Sequence, residues 1–149
     1  MNHGVQKYFG IKELVCPHVY DKHREYAWNF FDPRLLDTLL VIREKINLPI
    51  VVNNWAQGGN LAQRGLRCNI CPLVKEKTSL EKLYMSAHNQ GMAIDFNVNG
   101  MSVEEVHQWL KKNQIWIPHP IRLEDIDGVN RVHIDVRSEG FRTITMFKG

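Results

Sequence analysis

Apolar residues at helical spacing mark two helices in this chain. Residues 33–46 place apolar side chains every three or four positions, which predicts a core helix. Asp32 can cap its first amides, and Pro33 suits its first position. The apolar positions are Leu35, Leu36, Leu39, Leu40, Ile42 and Ile46. A second amphipathic helix is predicted over residues 103–113, directly after Ser102, which begins a capping-box pattern.

Alternating and β-branched stretches predict the strands. Residues 50–55 are expected to form a buried strand that leads to the edge of a site, and residues 93–98 form a second strand. Residues 121–126 and 131–136 alternate on either side of a turn-forming segment, which predicts a hairpin. The predicted fold is therefore α+β, with a small, mainly antiparallel sheet and packed helices.

Three stretches lack a clear period. Residues 1–15 contain a short amphipathic segment, expected to form a lid or a first helical turn, and residues 16–31 are predicted to be loop. Residues 60–85 form a long connection that suits a binding element and carries Arg64 and Arg67. An arginine there can hold a carboxylate or a developing oxyanion, although a solvated arginine is the simpler interpretation.

Composition limits the classes of protein. A length of 149 residues, 44% of them hydrophobic, suits a single domain over residues 1–149. The formal net charge of +3 is too mild to indicate nucleic-acid binding. No apolar run reaches transmembrane length, so membrane insertion is not expected, and the first residues lack the apolar core of a secretory signal. The oligomeric state is left open.

The cysteines allow two interpretations. Cys16, Cys68 and Cys71 are too few, and odd in number, for a disulfide framework. Cys68 and Cys71 have CxxC spacing, which together with Cys16 and His18 would suit a structural zinc site if these distant segments meet. The simpler interpretation is a set of reduced, partly buried thiols.

The candidate chemistry centres on residues 86–95. His88 and Asp95 lie seven positions apart, and Gly91 lets the backbone turn between them. With His133, they offer two imidazoles and one carboxylate, enough to hold a catalytic zinc and leave its fourth position open for water. For either residue taken alone there is a simpler interpretation. His88 would be a hydrogen-bonded histidine in a loop, and Asp95 would be a buried carboxylate with amide partners. Ser86 is expected to form a hydrogen bond within the turn or to a metal ligand.

The predicted hairpin supplies a candidate general base. If Ile126 pairs with Arg131, then Glu124 lies directly opposite His133 on the same face of the sheet. A carboxylate beside a metal ligand is placed to move protons. Because the register is inferred, Asp127 in the turn is a rival.

The residues of the central segment and of the last strand carry a family resemblance. The pattern SxHxxGxAxD, formed by Ser86, His88, Gly91, Ala93 and Asp95 and followed by Val132 and His133, resembles the zinc D-Ala-D-Ala carboxypeptidase family. Phage and bacterial endolysin peptidases belong to that family, and the hedgehog signalling domain shares its fold. The chain departs from the family where Arg131 replaces an aromatic residue and Asn130 stands where several members carry the catalytic glutamate.

The resemblance implies a hedgehog/DD-peptidase-like zinc metallopeptidase that hydrolyses peptidoglycan stem peptides, as a carboxypeptidase or an endopeptidase. His88, Asp95 and His133 would bind zinc, and Glu124 would move the proton. Arg64 or Arg67 would hold the substrate carboxylate or the oxyanion, and Ser86 is assigned to the substrate site with Arg67. Two other interpretations stay open: a non-catalytic zinc-binding or interaction module, and a structural phage or host-defence protein whose histidines are incidental.

Overall fold

The computed structural model describes residues 3–78, 83–125 and 128–149. Within them no helix is long and apolar enough to cross a membrane. The α-helices of this part are α1 (Pro17–His23), α2 (Pro33–Ile46), α3 (Pro72–Thr78) and α4 (Val103–Lys112). Its strands are β1 (Ile50–Val51), β2 (Ala93–Val98), β3 (Ile121–Glu124), β4 (Val132–Asp135) and β5 (Ile144–Phe147).

The strands form one sheet in the order β1-β2-β4-β3-β5. Every neighbouring pair is antiparallel except β3 and β5, which run parallel. The predicted α+β class and the small, mainly antiparallel sheet are therefore confirmed. β5 was not predicted, because its half-buried residues alternate too weakly to stand out in the sequence.

The register of the β3–β4 hairpin is the predicted one. Arg122 pairs with Asp135 and Leu123 pairs with Ile134, so the next position along the hairpin sets Glu124 opposite His133. Because side chains alternate between the faces of a strand, these polar residues share one face of the sheet. Leu123 and Ile134 are fully buried on the other face, in the core.

Helices α2 and α4 follow their periodic patterns. The Asp32 carboxylate accepts a hydrogen bond from the Arg34 amide at 2.9 Å, and Asn47 ends α2 in the left-handed conformation. Ser102 and Glu105 form the predicted capping box of α4. α4 packs against β2 and β4, so the apolar stripe of this helix closes the core behind the sheet.

The prediction of loop for residues 16–31 was wrong. They form α1 and a 3-10 helix over Arg24–Phe30. Pro17 occupies the first turn of α1, and Val19, Ala27 and Trp28 are buried. These short helices are stabilised by packing against distant residues, which a local period does not reveal.

Two other boundaries differ from the prediction. The strand expected over residues 50–55 ends at Val51, and the Asn53 amide donates to the Glu13 carbonyl instead of to a neighbouring strand. The long connection over residues 60–85 contains α3, which has only one buried residue, Val74. A single buried position gives no helical period to detect.

Candidate functional site

Four side chains form a row across the sheet, one from each of four neighbouring strands. Asp95 on β2 pairs with His133 on β4, and the hairpin register continues the row to Glu124 on β3. Glu124 in turn pairs with Phe147 on β5. The pairing of strands therefore brings together residues that are far apart in the chain, on the face opposite the apolar core.

His88 joins this row from the loop that precedes β2. Its Nε2 lies 3.4 Å from Asp95 Oδ1, and His133 Nδ1 lies 2.7 Å from the same oxygen. All three side chains are buried. Their donor atoms lie within 4.8 Å of one another, close enough for the group to hold a metal ion.

The other ring nitrogens of both histidines have partners of their own. His88 Nδ1 lies 2.9 Å from the Gly65 carbonyl oxygen, and His133 Nε2 lies 3.0 Å from Asp135 Oδ2. Arg122 holds Asp135 in turn through two hydrogen bonds of 2.8 and 2.9 Å. Outer partners of this kind fix the orientation of metal-binding imidazoles. They leave His88 Nε2 and His133 Nδ1 free to point at Asp95.

Gly91 shapes the loop that carries His88. Its φ of +69° lies in the left-handed region, and a Cβ there would collide with the Phe30 carbonyl oxygen. The Gly91 carbonyl accepts a hydrogen bond from the Asp32 amide at 2.9 Å. The glycine therefore lets the loop press against the segment before α2 on its way into β2.

The three side chains of the cluster differ in their charge states. Burial alone would raise the pKa of Asp95, but hydrogen bonds from His133 and His88 lower it far below the usual range. Burial lowers the pKa of His88, which favours the neutral imidazole that binds metals. Burial also opposes a charge on His133, but its hydrogen bonds to Asp135 and Asp95 raise its pKa to about 9. This imidazole is therefore protonated at neutral pH, and a metal ion that binds there would displace the proton.

Glu124 lies on the wall of the cavity that contains the two histidines. The cavity has a volume of about 530 Å³, and its lining includes Arg67, Ser86, His88, Glu124, Arg131, His133 and Phe147. The Glu124 carboxylate is 3.9 Å from the Arg131 guanidinium. The rival base, Asp127, lies outside the described residues.

The two predicted arginines take different places. Arg67 lines this cavity, and its guanidinium lies 3.4 Å from Asp95 Oδ2. Arg64 instead donates to the Asn97 side chain at 2.6 Å and lines a neighbouring cavity of about 410 Å³ on the other side of Asp95. Arg67 and Arg131 reach both cavities, so Arg67 is the better placed of the two for a ligand beside the histidines.

The Ser86 hydroxyl forms hydrogen bonds within the turn that precedes β2. Its hydroxyl accepts a hydrogen bond from the Asn89 amide at 3.2 Å and donates one to the Asn89 side chain. This agrees with the first of its two expected roles. The residue also lies on the cavity wall, and its assignment to the substrate site stays a prediction.

Three residues of the site were missed in the sequence. Asp135 supports His133, Arg131 lies 3.0 Å from Asp95 Oδ2, and the Phe147 ring meets the His133 ring edge-on at 5.5 Å. Asp135 had a detectable signal, because residues two apart on a strand share a face. Phe147 had none, since β5 itself was not predicted.

A second group of donor atoms lies elsewhere. Cys16, His18, Cys68 and Cys71 also bring their donor atoms within 4.8 Å of one another and could bind a metal ion. A hydrogen bond from Cys71 is the main reason that the pKa of Cys16 is lowered to about 5. The same contact, with burial, raises the pKa of Cys71 far above its usual range.

Comparison with models of protein families, with curated proteins and with solved structures finds no match to this chain. The chemistry of the site itself is therefore the basis for assigning a function.

Proposed function

We propose that this protein is a zinc-dependent peptidase with a hedgehog/DD-peptidase-like fold. One observation carries the proposal: three donor atoms converge beside a cavity that His88 and His133 line, and the wall of this cavity includes a carboxylate. The donors are His88 Nε2, Asp95 Oδ1 and His133 Nδ1, and the carboxylate belongs to Glu124. Catalytic zinc sites have three protein ligands and an open position, whereas structural sites are closed by four.

The donor set favours zinc over harder cations. Two imidazoles and one carboxylate suit zinc, whereas magnesium and calcium prefer oxygen ligands throughout. The outer partners Gly65 and Asp135 hold the two rings with the required nitrogens facing inward.

Each residue then has a distinct task. Zinc, when bound, supplies Lewis-acid activation of water and of the scissile carbonyl. Glu124 accepts the proton of the attacking water on its carboxylate and delivers it to the leaving amine. Arg67 and Arg131, whose side chains are 11% and 32% exposed, hold an anionic group of the substrate in the cavity.

The proposed substrate is the stem peptide of peptidoglycan. The motif of residues 86–95 supports this class through its resemblance to enzymes of the cell wall. The cavity supports it through charge, because its lining carries Arg67, Lys77, Arg122, Arg131 and Arg137. Stem peptides carry several carboxylates, which such a wall attracts.

Digestion of purified peptidoglycan tests the proposal. The fragments are identified by mass after treatment with the wild type, the chelated protein and the chelated protein with zinc restored. Hydrolysis should disappear with chelation and return with zinc. His133→Ala should abolish it, and His23→Ala, which alters a histidine outside both clusters, should leave it unchanged.

The contrary result has its own meaning. If the zinc-loaded wild type releases no fragment from any wall peptide, the peptidase proposal is wrong. The same fold would then serve as a non-catalytic zinc-binding or interaction module. Asn130, which stands where several related enzymes carry the glutamate, is the feature that favours this second function.

A further inference from the structure

All three cysteines of the chain meet one histidine at a single place. Cys16 and His18 lie at the start of α1, whereas Cys68 and Cys71 lie some fifty positions later, just before α3. Cys16 and Cys71 are buried, and His18 is exposed at the surface. The peptidase chemistry proposed above uses none of these four side chains.

Three of the four donor atoms are separated by distances that suit a metal site, and Cys16 lies within 4.8 Å of them. Cys68 Sγ lies 3.8 Å from Cys71 Sγ and 3.5 Å from His18 Nδ1. Cys71 Sγ lies 3.8 Å from the same nitrogen. Tetrahedral zinc, with bonds of about 2.3 Å to sulfur and 2.0–2.1 Å to nitrogen, separates two sulfurs by about 3.8 Å and a sulfur from a nitrogen by about 3.6 Å.

The local backbone also supports a thiolate ligand. The Ile70 amide points at Cys68 Sγ at 3.4 Å, and the Cys71 amide donates to the Cys68 carbonyl at 3.2 Å. The tight turn between the two cysteines directs both sulfurs to the same point. An amide that donates to sulfur stabilises the charged form of the thiol, which is the form that binds metals.

We propose that Cys16, His18, Cys68 and Cys71 form a structural zinc site, separate from the site of the proposed peptidase. Three thiolates and one imidazole complete the coordination of zinc and leave no position for substrate or water. Soft sulfur ligands select zinc over the harder divalent cations.

The ion would join two segments that otherwise share few bonds. Val15 and Leu66 form an isolated bridge, in which the Cys16 amide donates to the Leu66 carbonyl at 3.1 Å and the Leu66 amide to the Leu14 carbonyl at 2.8 Å. Gly65 is essential to this approach, because a Cβ there would collide with the Leu14 carbonyl. Four ligands across the two segments would stabilise this contact.

Redox chemistry is the main competing explanation of a CxxC pair. A thiol–disulfide couple needs two cysteines and an accessible attacking thiol. It gives no reason for Cys16 and His18 to converge on the same point. Zinc coordination uses all four groups.

Cobalt substitution and metal analysis test the proposal on the full chain under reducing conditions. Because the chain has no other cysteine, a thiolate-to-cobalt charge-transfer band can arise only from this cluster. We expect that band together with the intense visible absorption of tetrahedral cobalt. In a His88→Ala/His133→Ala background, which removes the other cluster, about one zinc per chain should remain.

The ligand variants complete the test. Cys68→Ser and His18→Ala should lose this zinc and the cobalt band, whereas His23→Ala, at the other end of α1, should keep both. If a variant does not fold, the cobalt spectrum of the wild type still decides. No charge-transfer band in the wild type, undiminished zinc in Cys68→Ser, or a Cys68–Cys71 disulfide in protein prepared with zinc and reductant would overturn the proposal.

Discussion

The two clusters of candidate metal ligands differ in donors, number and surroundings. The first has two histidines and an aspartate, all of them buried, and the two histidines line a large cavity. The second has three cysteines and a histidine, where the start of a helix meets a loop near the surface. Three hard or borderline ligands beside a cavity suit catalysis, and four mostly soft ligands suit structure. If both proposals hold, one small chain would bind a catalytic ion and a structural ion with different sets of donors.

A short segment connects the two clusters. Residues 65–67 precede Cys68 and also contact His88: the Gly65 carbonyl lies 2.9 Å from its Nδ1, and the Arg67 amide donates to its backbone carbonyl at 3.3 Å. An ion at the cysteine cluster would therefore hold the segment that orients His88. The support is mutual, because the Asn89 side chain also donates to the Arg67 carbonyl, directly before Cys68, at 3.2 Å.

The largest expected effect tests whether the cysteine cluster stabilises the fold and the first cluster with it. Cys71→Ser removes a buried ligand of the cysteine cluster, and loss of a structural metal is among the few changes that cost about 4 kcal/mol or more. We expect the free energy of unfolding, measured in urea with zinc present, to fall by that amount, and hydrolysis to fall with it. His133→Ala should instead abolish hydrolysis with a smaller loss of stability. Equal stability of Cys71→Ser and wild type would contradict the distinction.

Glu124→Gln should have the next largest effect and should affect the first site alone. The amide keeps the size of the carboxylate but cannot accept the proton. General acid–base assistance contributes about 10²–10⁴-fold, so kcat for wall peptides should fall by that factor. Metal content at both clusters should stay the same, because Glu124 is not a ligand.

Asp127→Asn is the paired variant for this experiment. A large loss of kcat with Asp127→Asn and none with Glu124→Gln would assign the base to the turn. No loss in either variant would mean that the proton acceptor is a different group.

Asp135→Asn should weaken the first metal site without removing it. Its carboxylate supports His133 Nε2 at 3.0 Å, and loss of such an outer partner costs about 10–100-fold in metal affinity. Zinc competition with a chelator measures the change. Asp37→Asn is a matched control, since Asp37 also contacts two histidines, His3 at 2.8 Å and His119 at 3.0 Å, away from both clusters. An equal effect of both substitutions would mean that Asp135 has no specific role at the metal.

The smallest expected effect separates the two predicted arginines. Arg67 lines the cavity that contains the two histidines, whereas the Arg64 guanidinium forms a hydrogen bond with the Asn97 side chain. One hydrogen bond to a charged group is worth about 1.5–3 kcal/mol, so Arg67→Ala should raise KM at least about tenfold. Arg64→Ala should change KM less, and both variants should keep their zinc. A larger effect of Arg64→Ala would place the substrate in the neighbouring cavity.

Much of the first site followed from local patterns in the sequence. The period of residues 33–46 predicted α2, and alternation predicted β2, β3 and β4. The turn-forming residues predicted the hairpin and its register, which sets Glu124 opposite His133. Alternation of side chains along each strand then places both residues on the same face of the sheet. These features are encoded within short segments, so a pattern of polar and apolar residues is enough to predict them.

Other features depended on contacts between distant parts of the chain. α1, α3 and β5 have few buried residues of their own and are stabilised by what packs against them. The sequence allowed a cysteine cluster, but its formation required residues 14–18 and 66–71 to meet, which the bridge between Val15 and Leu66 achieves. The contact of Arg131 with Asp95 likewise joins residues that are far apart in the chain. Burial and pairing across long separations are properties of the whole fold, which is why local periodicity in the sequence could not predict them.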